Sequence, residues 1–128
     1  MKVWILALIF AGGALAQTPP AVLDLFQAAG EALVNQDADT FLDQFDQKMP
    51  GYAMLRDEVQ ELAAAEQAGS TIDVVTDEGD DKKRALALDW VLRIGTDRPR
   101  RQIVKCTVEK QGKRWKITAL DPVDFFKK

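Results

Sequence analysis

The stretch TDEGDDKKRALALDWVL, Thr76–Leu92, contains the change of pattern that decides the fold. From Arg84 onward, apolar and other residues alternate, which is the period of a strand with one buried face. A strand over Arg84–Ile94 would carry an apolar face made of Leu86, Leu88, Trp90, Leu92 and Ile94. The acidic run before it suits the corner of a β-hairpin at Glu-Gly or Gly-Asp, preceded by a first strand over Ile72–Thr76.

Two more alternating segments follow, over Gln102–Lys110 and Lys113–Leu120, with a hairpin turn at KQGK. Their predicted inward side chains are Val104, Cys106, Val108, Trp115, Ile117 and Ala119. Each of these strands has one apolar face and one mixed face. The sequence therefore predicts an antiparallel sheet that is covered on one side.

The residues before the strands repeat with the period of a helix and predict three helices. The first begins after an N-cap at Thr18, passes through Pro19 and Pro20, and ends near Asn35. Gly30 in its middle costs helix stability, which indicates that another element packs closely there. Its apolar stripe contains Val22, Leu25, Phe26, Ala29 and Leu33.

The second helix is short, with Asp37 or Asp39 as its cap and Phe41, Leu42 and Phe45 on one face. The third follows the turn MPGY and runs from about Tyr52 to Gln67, with Gly69 as its stop signal. Its predicted inward residues are Leu55, Val59, Leu62, Ala63 and Glu66. Helices followed by strands predict an α+β domain, whose helices cover the face of Trp90, Val104, Cys106 and Trp115.

The first residues, MKVWILALIFAGGALA, are typical of a signal peptide with a basic start, a short apolar run and small residues before the cut. We predict cleavage after Ala16, so that residues 17–128 form the exported domain, periplasmic or secreted. An uncleaved anchor is the alternative. After cleavage, the sequence predicts no stable membrane anchor.

Charge divides along the chain at the opening stretch. Residues 17–81 contain fifteen acidic and two basic side chains, whereas residues 82–128 contain fourteen basic and five acidic ones. We interpret this as an acidic helical layer beside a basic sheet. Nucleic acid is a poor partner for an exported chain whose basic residues lack interleaved exposed aromatic residues, whereas an anionic membrane or polymer surface stays open.

Several chemistries are excluded by residue types. The chain has no His and one cysteine, Cys106, which removes Ser-His-Asp and Cys-His catalysis and the usual zinc sites. Cys106 is predicted to be a small buried apolar residue. The acidic run does not match a calcium loop, because the first, third and fifth loop positions before Gly79 would be Val74, Thr76 and Glu78. We predict no metal and no cofactor.

The helix-two segment NQDADTFLDQF and the ending RWKITALDPVDFF resemble the nuclear transport factor 2-like superfamily, which includes ketosteroid isomerases and polyketide cyclase-like proteins. The resemblance covers Ala21–Phe126 and implies a cystatin-like α+β roll, a curved four-stranded sheet around a cone-shaped cavity. The short strand that usually follows the second helix is replaced here by DQKMPGYAM. Enzymes of the superfamily place Asp with Tyr or His in the cavity, and no such residue transfers to this chain.

Asp89 and Tyr52 are the weak catalytic candidates. Asp89 is expected on the outer sheet face, paired with Lys or Arg, although a cavity position would allow it to act as a base. An apolar ligand pocket would be lined by Phe26, Phe41, Phe45, Tyr52, Trp90, Cys106 and Trp115, which otherwise fill the core. Phe125 and Phe126 either close the base of the domain or contact a partner.

The sequence thus predicts an exported, non-catalytic domain that binds a small apolar ligand or another protein, with a homodimer through the open sheet face as one assembly. The alternative is a cavity enzyme that performs isomerase-like or dehydratase-like acid/base chemistry on a small apolar molecule. The position of Asp89 relative to the sheet distinguishes the two.

Overall fold

The computed structural model describes residues 18–128, and the predicted signal peptide, Met1–Ala16, lies outside that range. The predicted order of three helices followed by four strands is confirmed. The elements are α1 (Pro20–Val34), α2 (Ala38–Leu42), α3 (Tyr52–Ala65), β1 (Ala68–Gly79), β2 (Lys83–Ile94), β3 (Arg100–Gln111), β4 (Arg114–Asp121) and a C-terminal 3₁₀ helix (Val123–Phe126).

The strands form one curved antiparallel sheet in the order β1-β2-β3-β4, so each strand pairs with its neighbours in sequence. The helices cover one face of this sheet, as the alternation predicts. Trp90, Val104 and Cys106 are buried beneath them, together with Leu55, Val59 and Leu62 of α3. Glu66, predicted to point inward, is exposed, because α3 ends at Ala65 and Glu66 is already extended.

Two β-bulges change the side-chain alternation that the sequence suggests. Val75 has no partner between the pairs Val74–Leu88 and Thr76–Ala87, so the residues after it move to the opposite face. A second shift of the pairing register, between Thr107 and Val108 of β3, moves the β4 residues after Ile117 to the opposite face in the same way. As a result Leu120 is buried and Ala119 is exposed, and the prediction that Ala119 faces the core was wrong.

The acidic run forms a hairpin turn, with its corner slightly later than predicted. β1 extends through Gly79, and the Asp80 N–H donates to the Lys83 carbonyl at 3.0 Å. The Asp80 carboxylate accepts the N–H groups of Lys82 and Lys83 at 2.8 and 2.9 Å, which fixes the turn. Gly69, predicted to be a helix stop, instead pairs with Arg93 within β1, because the strand already begins at Ala68.

A single parallel bridge lies where the superfamily has a short strand after the second helix. Phe45 bridges Ile117 of β4, with the Asp46 N–H bonding the Ile117 carbonyl and the Ile117 N–H bonding the Gln44 carbonyl, both at 2.8 Å. The strand is therefore reduced to one residue pair, and it ties the end of α2 to the last strand of the sheet.

The C-terminal 3₁₀ helix closes the base of the domain, which was one of the two predicted roles of Phe125 and Phe126. Both rings are buried. Arg100 of β3 holds this helix from outside, since its guanidinium donates to the carbonyl oxygens of Phe125 at 2.8 Å and Lys127 at 2.6 Å.

Candidate functional site

Aromatic side chains occupy the space between the helices and the sheet. The Phe126 ring centroid lies 5.1 Å from that of Trp90 and 5.3 Å from that of Phe41, both edge-on, and Phe41 lies 5.1 Å from Phe45. All four side chains are among the largest that are fully buried. The chain's own C-terminus thus supplies a ring at the centre of the aromatic cluster, in the space where a cone-shaped cavity was expected.

The seven predicted pocket residues are distributed between the core and the margins of two clefts within residues 18–128. Phe41, Trp90, Cys106 and Trp115 lie in the core, among Leu88, Val108 and Ile117. Phe26 lines a groove between α1 and β1. Phe45 is buried in the core and also borders a polar cleft, which Tyr52, Lys48, Arg56 and Lys116 line as well.

Asp89 lies on the outer face of the sheet, where the alternation places it. Arg101 of β3 binds it with two hydrogen bonds, from Nη2 to Oδ2 at 2.6 Å and from Nε to Oδ1 at 3.0 Å. These bonds lower the pKa of the Asp89 carboxyl. A general base in a cavity needs the opposite shift of its pKa, and the polar cleft that Tyr52 borders is not lined by Asp89.

Cys106 is buried in the core, as the sequence predicts. Burial raises the pKa of its thiol well above the ordinary value, which keeps the sulfur protonated. The described residues contain no cluster of three or more Cys, His, Asp or Glu side chains that could hold a metal.

A buried ion pair is the feature of the acidic run that sequence reasoning missed. The Val75 bulge turns Asp77 inward, where it accepts a 2.8 Å hydrogen bond from Nε of Arg84, and both side chains are almost fully buried. Nη1 of Arg84 also donates to the Asp80 carbonyl at 2.7 Å. The charged groups thereby satisfy one another inside the domain, which is what makes their burial tolerable.

Thr18 belongs to the same cluster. Its hydroxyl donates to Asp77 Oδ2, so it does not cap α1, and Pro19 occupies the N-cap position without a side-chain bond. The prediction that Thr18 is the helix cap was wrong, because a buried carboxylate competes for the hydroxyl. This contact ties the first described residue to the β1–β2 hairpin.

A second cleft lies between α3 and the C-terminus. It is lined by Met54, Asp57, Glu58, Glu61, Asp124, Lys127 and Lys128. Burial, and then the charge of Asp124, raises the pKa of the Glu58 carboxyl. Its Oε1 atom is buried without a hydrogen-bond partner. The cleft is small and its charges are mixed.

An open groove lies between α1 and the edge strand β1, with a volume of about 860 Å³. The α1 wall presents Leu23, Phe26, Gln27, Gly30, Glu31, Val34 and Asn35, and the β1 wall presents Ser70, Ile72, Asp73 and Val74. We call these residues the α1–β1 groove. Leu23 keeps 43% of its surface exposed at the mouth of the groove.

Gly30 lies on the α1 wall of the groove, opposite β1, at a separation that leaves room for a Cβ atom. A Cβ atom added there would lie 3.7 Å from Ile72 Cδ1 and 3.8 Å from Ser70 Oγ, which is ordinary contact. Ser70 in turn accepts the indole N–H of Trp90 at 2.9 Å, so the groove floor is bonded to the core. The sequence contained one sign of this groove. Leu23 and Val34 are apolar, yet they lie beside the core-facing stripe of α1, so they form apolar surface outside the core.

No helix within residues 18–128 has the length and apolar character that crossing a bilayer requires.

Comparison with known proteins gives structural likeness without sequence likeness. No family model and no curated protein sequence matches the chain. A nuclear transport factor 2-like protein of unknown function from Shewanella oneidensis superposes with a TM-score of 0.69, at 15% identity over 78% of this chain and 93% of that one.

Two other solved structures have names that mention an activity or an assembly. One, from Thiobacillus denitrificans, carries the provisional name of a calcium/calmodulin-dependent protein kinase type II association domain (TM-score 0.64, 14% identity, 80% of this chain and 95% of that one). The other, from Novosphingobium aromaticivorans, is provisionally named an aromatic ring hydroxylase (TM-score 0.60, 17% identity, 81% and 89%). At such identities the likeness concerns the fold. The chain therefore has the nuclear transport factor 2-like fold, with three helices covering one face of a curved, four-stranded antiparallel sheet.

Proposed function

We propose that this protein is an exported, non-catalytic binding module that engages its partners at its surface. The observation that carries the proposal is the filled interior, where Phe126 packs against Trp90 and Phe41. A cavity enzyme of this fold would need that space for its substrate. Binding is therefore left to the clefts and faces outside the core.

The acid/base enzyme is the weaker candidate for a second reason. Asp89 is held by Arg101 on the outer face with a lowered pKa, and Tyr52 borders a separate polar cleft. Neither arrangement offers a dry site in which a proton could be taken from an apolar molecule. The provisional hydroxylase name of one structural neighbour makes the enzyme worth testing, although that likeness concerns the fold alone.

The outer sheet face supports self-association with a second copy. It presents Ala87, Val91 and Ile103, and Ile103 keeps 48% of its surface exposed. Acidic Asp73 and Asp89 lie on β1 and β2, whereas basic Arg101 and Lys105 lie on β3. A two-fold axis could place the acidic side of one copy against the basic side of the other. One structural neighbour is named as an association domain, which is consistent with this use of the face.

Native mass spectrometry of the purified 17–128 chain tests the proposal. We expect the ligand-free mass of the chain, together with a dimer at micromolar concentration. A copurified small molecule that survives desolvation, accompanied by turnover that is lost in Asp89→Asn, would establish the enzyme alternative instead.

Export is tested separately by sequencing the N-terminus of protein recovered outside the cytoplasm. We expect it to begin at Gln17, because the small residues Ala14 and Ala16 suit a signal peptidase. An intact Met1 in that fraction would contradict cleavage.

A further inference from the structure

We propose that the α1–β1 groove binds an extended, basic segment of a partner protein, which adds a strand to the free edge of β1. This inference rests on the proposed function, since it names the partner chemistry of a surface binding module. It concerns a different surface from the outer sheet face.

The backbone of β1 provides the first half of the site. β1 is an edge strand, and within residues 18–128 it pairs only with β2. Its other edge therefore presents N–H and C=O groups that an extended peptide can bind. The straight part of this edge is short, because the bulge at Val75 twists the strand away beyond Val74. The β1 residues that line the groove, Ser70, Ile72, Asp73 and Val74, lie before the bulge and span the length of an ordinary short strand.

Side chains on both walls provide the second half. Ile72 and Val74 of β1 face Leu23 and Val34 of α1 across the groove. A strand that pairs with β1 would project alternate side chains into this apolar space. The remaining side chains would lie on the outer side, next to Asp73.

The charge of the walls selects the partner. The charged side chains that line the groove are Glu31 of α1 and Asp73 of β1, and neither α1 nor β1 contains Lys or Arg. Arg101 lies near Asp73, so Glu31 carries the least compensated charge of the groove. A peptide with Lys or Arg at alternate positions matches these walls.

The same charges argue against a second copy in this groove. A second copy that paired its β1 edge here would bring its own Asp73 and Glu31 close to those of the first copy, and like charges facing each other are destabilising. The outer face carries both acidic and basic side chains, whereas the charged side chains that line the groove are all acidic. We therefore assign self-association to the face and a basic partner to the groove.

The probe is the heptapeptide acetyl-KVRIKVR-amide, titrated into the ¹⁵N-labelled 17–128 chain at 50 mM salt. We expect saturable amide shifts confined to residues 23–35 and 70–74. We expect the affinity to fall about tenfold between 50 and 300 mM salt, because exposed charges are screened at that ionic strength. The acidic peptide acetyl-EVDIEVD-amide should not bind.

Backbone pairing is tested with two N-methylated forms of the probe. Alternate N–H groups of a strand point to opposite sides, so only one side of the peptide can face β1. Methylation of one alternate set should abolish binding, whereas methylation of the other set should change the affinity by less than threefold. Equal loss or equal retention in both forms would overturn strand addition.

Matched protein variants test the walls. Gly30→Ala adds a methyl group at ordinary contact distance and should leave binding nearly unchanged, whereas Gly30→Leu fills the groove and should weaken binding at least tenfold. Glu31→Lys should weaken binding of the basic probe about fivefold and create weak binding of the acidic one. Thermal melts show whether each variant is folded, and a folded Gly30→Leu protein that binds like wild type would contradict the site.

The outcomes separate this inference from the proposed function. If the probe shifts residues of the outer face or none at all, the groove assignment is wrong, while the surface-binding proposal survives with its dimer test. If a small apolar molecule occupies the interior, the proposed function itself fails, whatever the peptide does.

Discussion

The interior and the α1–β1 groove are both apolar spaces beside α1, yet one is filled and the other is open. Phe126 and Phe41 meet edge to face in the interior, whereas Gly30 leaves the groove wall without a side chain. The filling residue comes from the C-terminal 3₁₀ helix, which Arg100 holds in place. In this chain the space beneath the helices contains the chain's own aromatic side chains, whereas the groove beside the edge strand keeps the apolar side chain of Leu23 exposed.

Phe126→Ala is expected to have the largest effect on this comparison, because it would open the interior. Removing a fully buried Phe ring should lower the free energy of unfolding by about 4 kcal/mol. If the variant still folds, the vacated space should bind benzene, which wild type should not. Urea denaturation gives the stability, and a ligand-induced rise in melting temperature reports the cavity. A loss below about 1 kcal/mol would mean that the ring is not packed as described.

Removing the buried carboxylate of Asp77 and the surface carboxylate of Asp89 compares an ion pair inside the domain with one on its surface. Asp77→Ala leaves the Arg84 guanidinium buried without its partner and should cost about 3 kcal/mol or more. Asp89→Ala removes the partner of Arg101, whose side chain is already 71% exposed to water, and we expect an unfolding midpoint close to that of wild type. Urea midpoints of both variants, measured at low and high salt, provide the check. Similar losses in the two variants would contradict the difference in burial.

Gly30→Ala should stabilise the domain by roughly 0.5–1 kcal/mol, because alanine favours the helix and its methyl group meets Ile72 and Ser70 at ordinary distances. Thermal unfolding measures this gain. A destabilised Gly30→Ala protein would show that α1 lies closer to β1 than the structure indicates.

Glu58→Gln should produce the smallest change, and it should depend on pH. Burial and Asp124 raise the folded-state pKa of Glu58, so the stabilisation from its protonated form is fully present below the ordinary Glu pKa and is lost as pH rises through the raised value. The variant should therefore be more stable than wild type near pH 7 and equal to it near pH 3.

Three other carboxylates, Asp37, Asp46 and Asp80, follow the opposite sign. Hydrogen bonds lower the pKa values of Asp37, Asp46 and Asp80, so their stabilisation is lost as the pH falls through those lowered values. The difference between wild type and Glu58→Gln at each pH isolates the contribution of Glu58. A difference that grows toward low pH would contradict the raised pKa.

The sequence was sufficient for the element order, the sheet and the hairpin, since these follow from periods of 3.6 and 2 residues and from turn residues. It was insufficient wherever one extra residue in a strand reverses which of the alternating side chains face the core. No local signal marks the bulge at Val75, so the inward turn of Asp77 and its bonds to Arg84 and Thr18 could not be read from alternation. The same holds for Ala119 and Leu120.

The candidate sites were harder to predict for a different reason. Phe41, Phe45 and Trp90 look the same in sequence whether they line a cavity or fill it, and the answer depends on where a C-terminal segment such as Phe125–Phe126 packs. The position of Asp89 was predictable because a long, regular strand fixes its face. The groove depends on the separation between α1 and an edge strand, which is a tertiary property.

Methyl chemical-shift mapping of the wild-type 17–128 chain tests the closed interior most directly. Leu88 and Ile117 are fully buried reporters of the interior, and Leu23 and Ile72 are reporters of the groove. We predict that benzene leaves the Leu88 and Ile117 methyl signals unmoved, while the basic heptapeptide shifts those of Leu23 and Ile72. Saturable movement of the Leu88 and Ile117 signals with benzene would show that the interior admits ligands and would contradict the account.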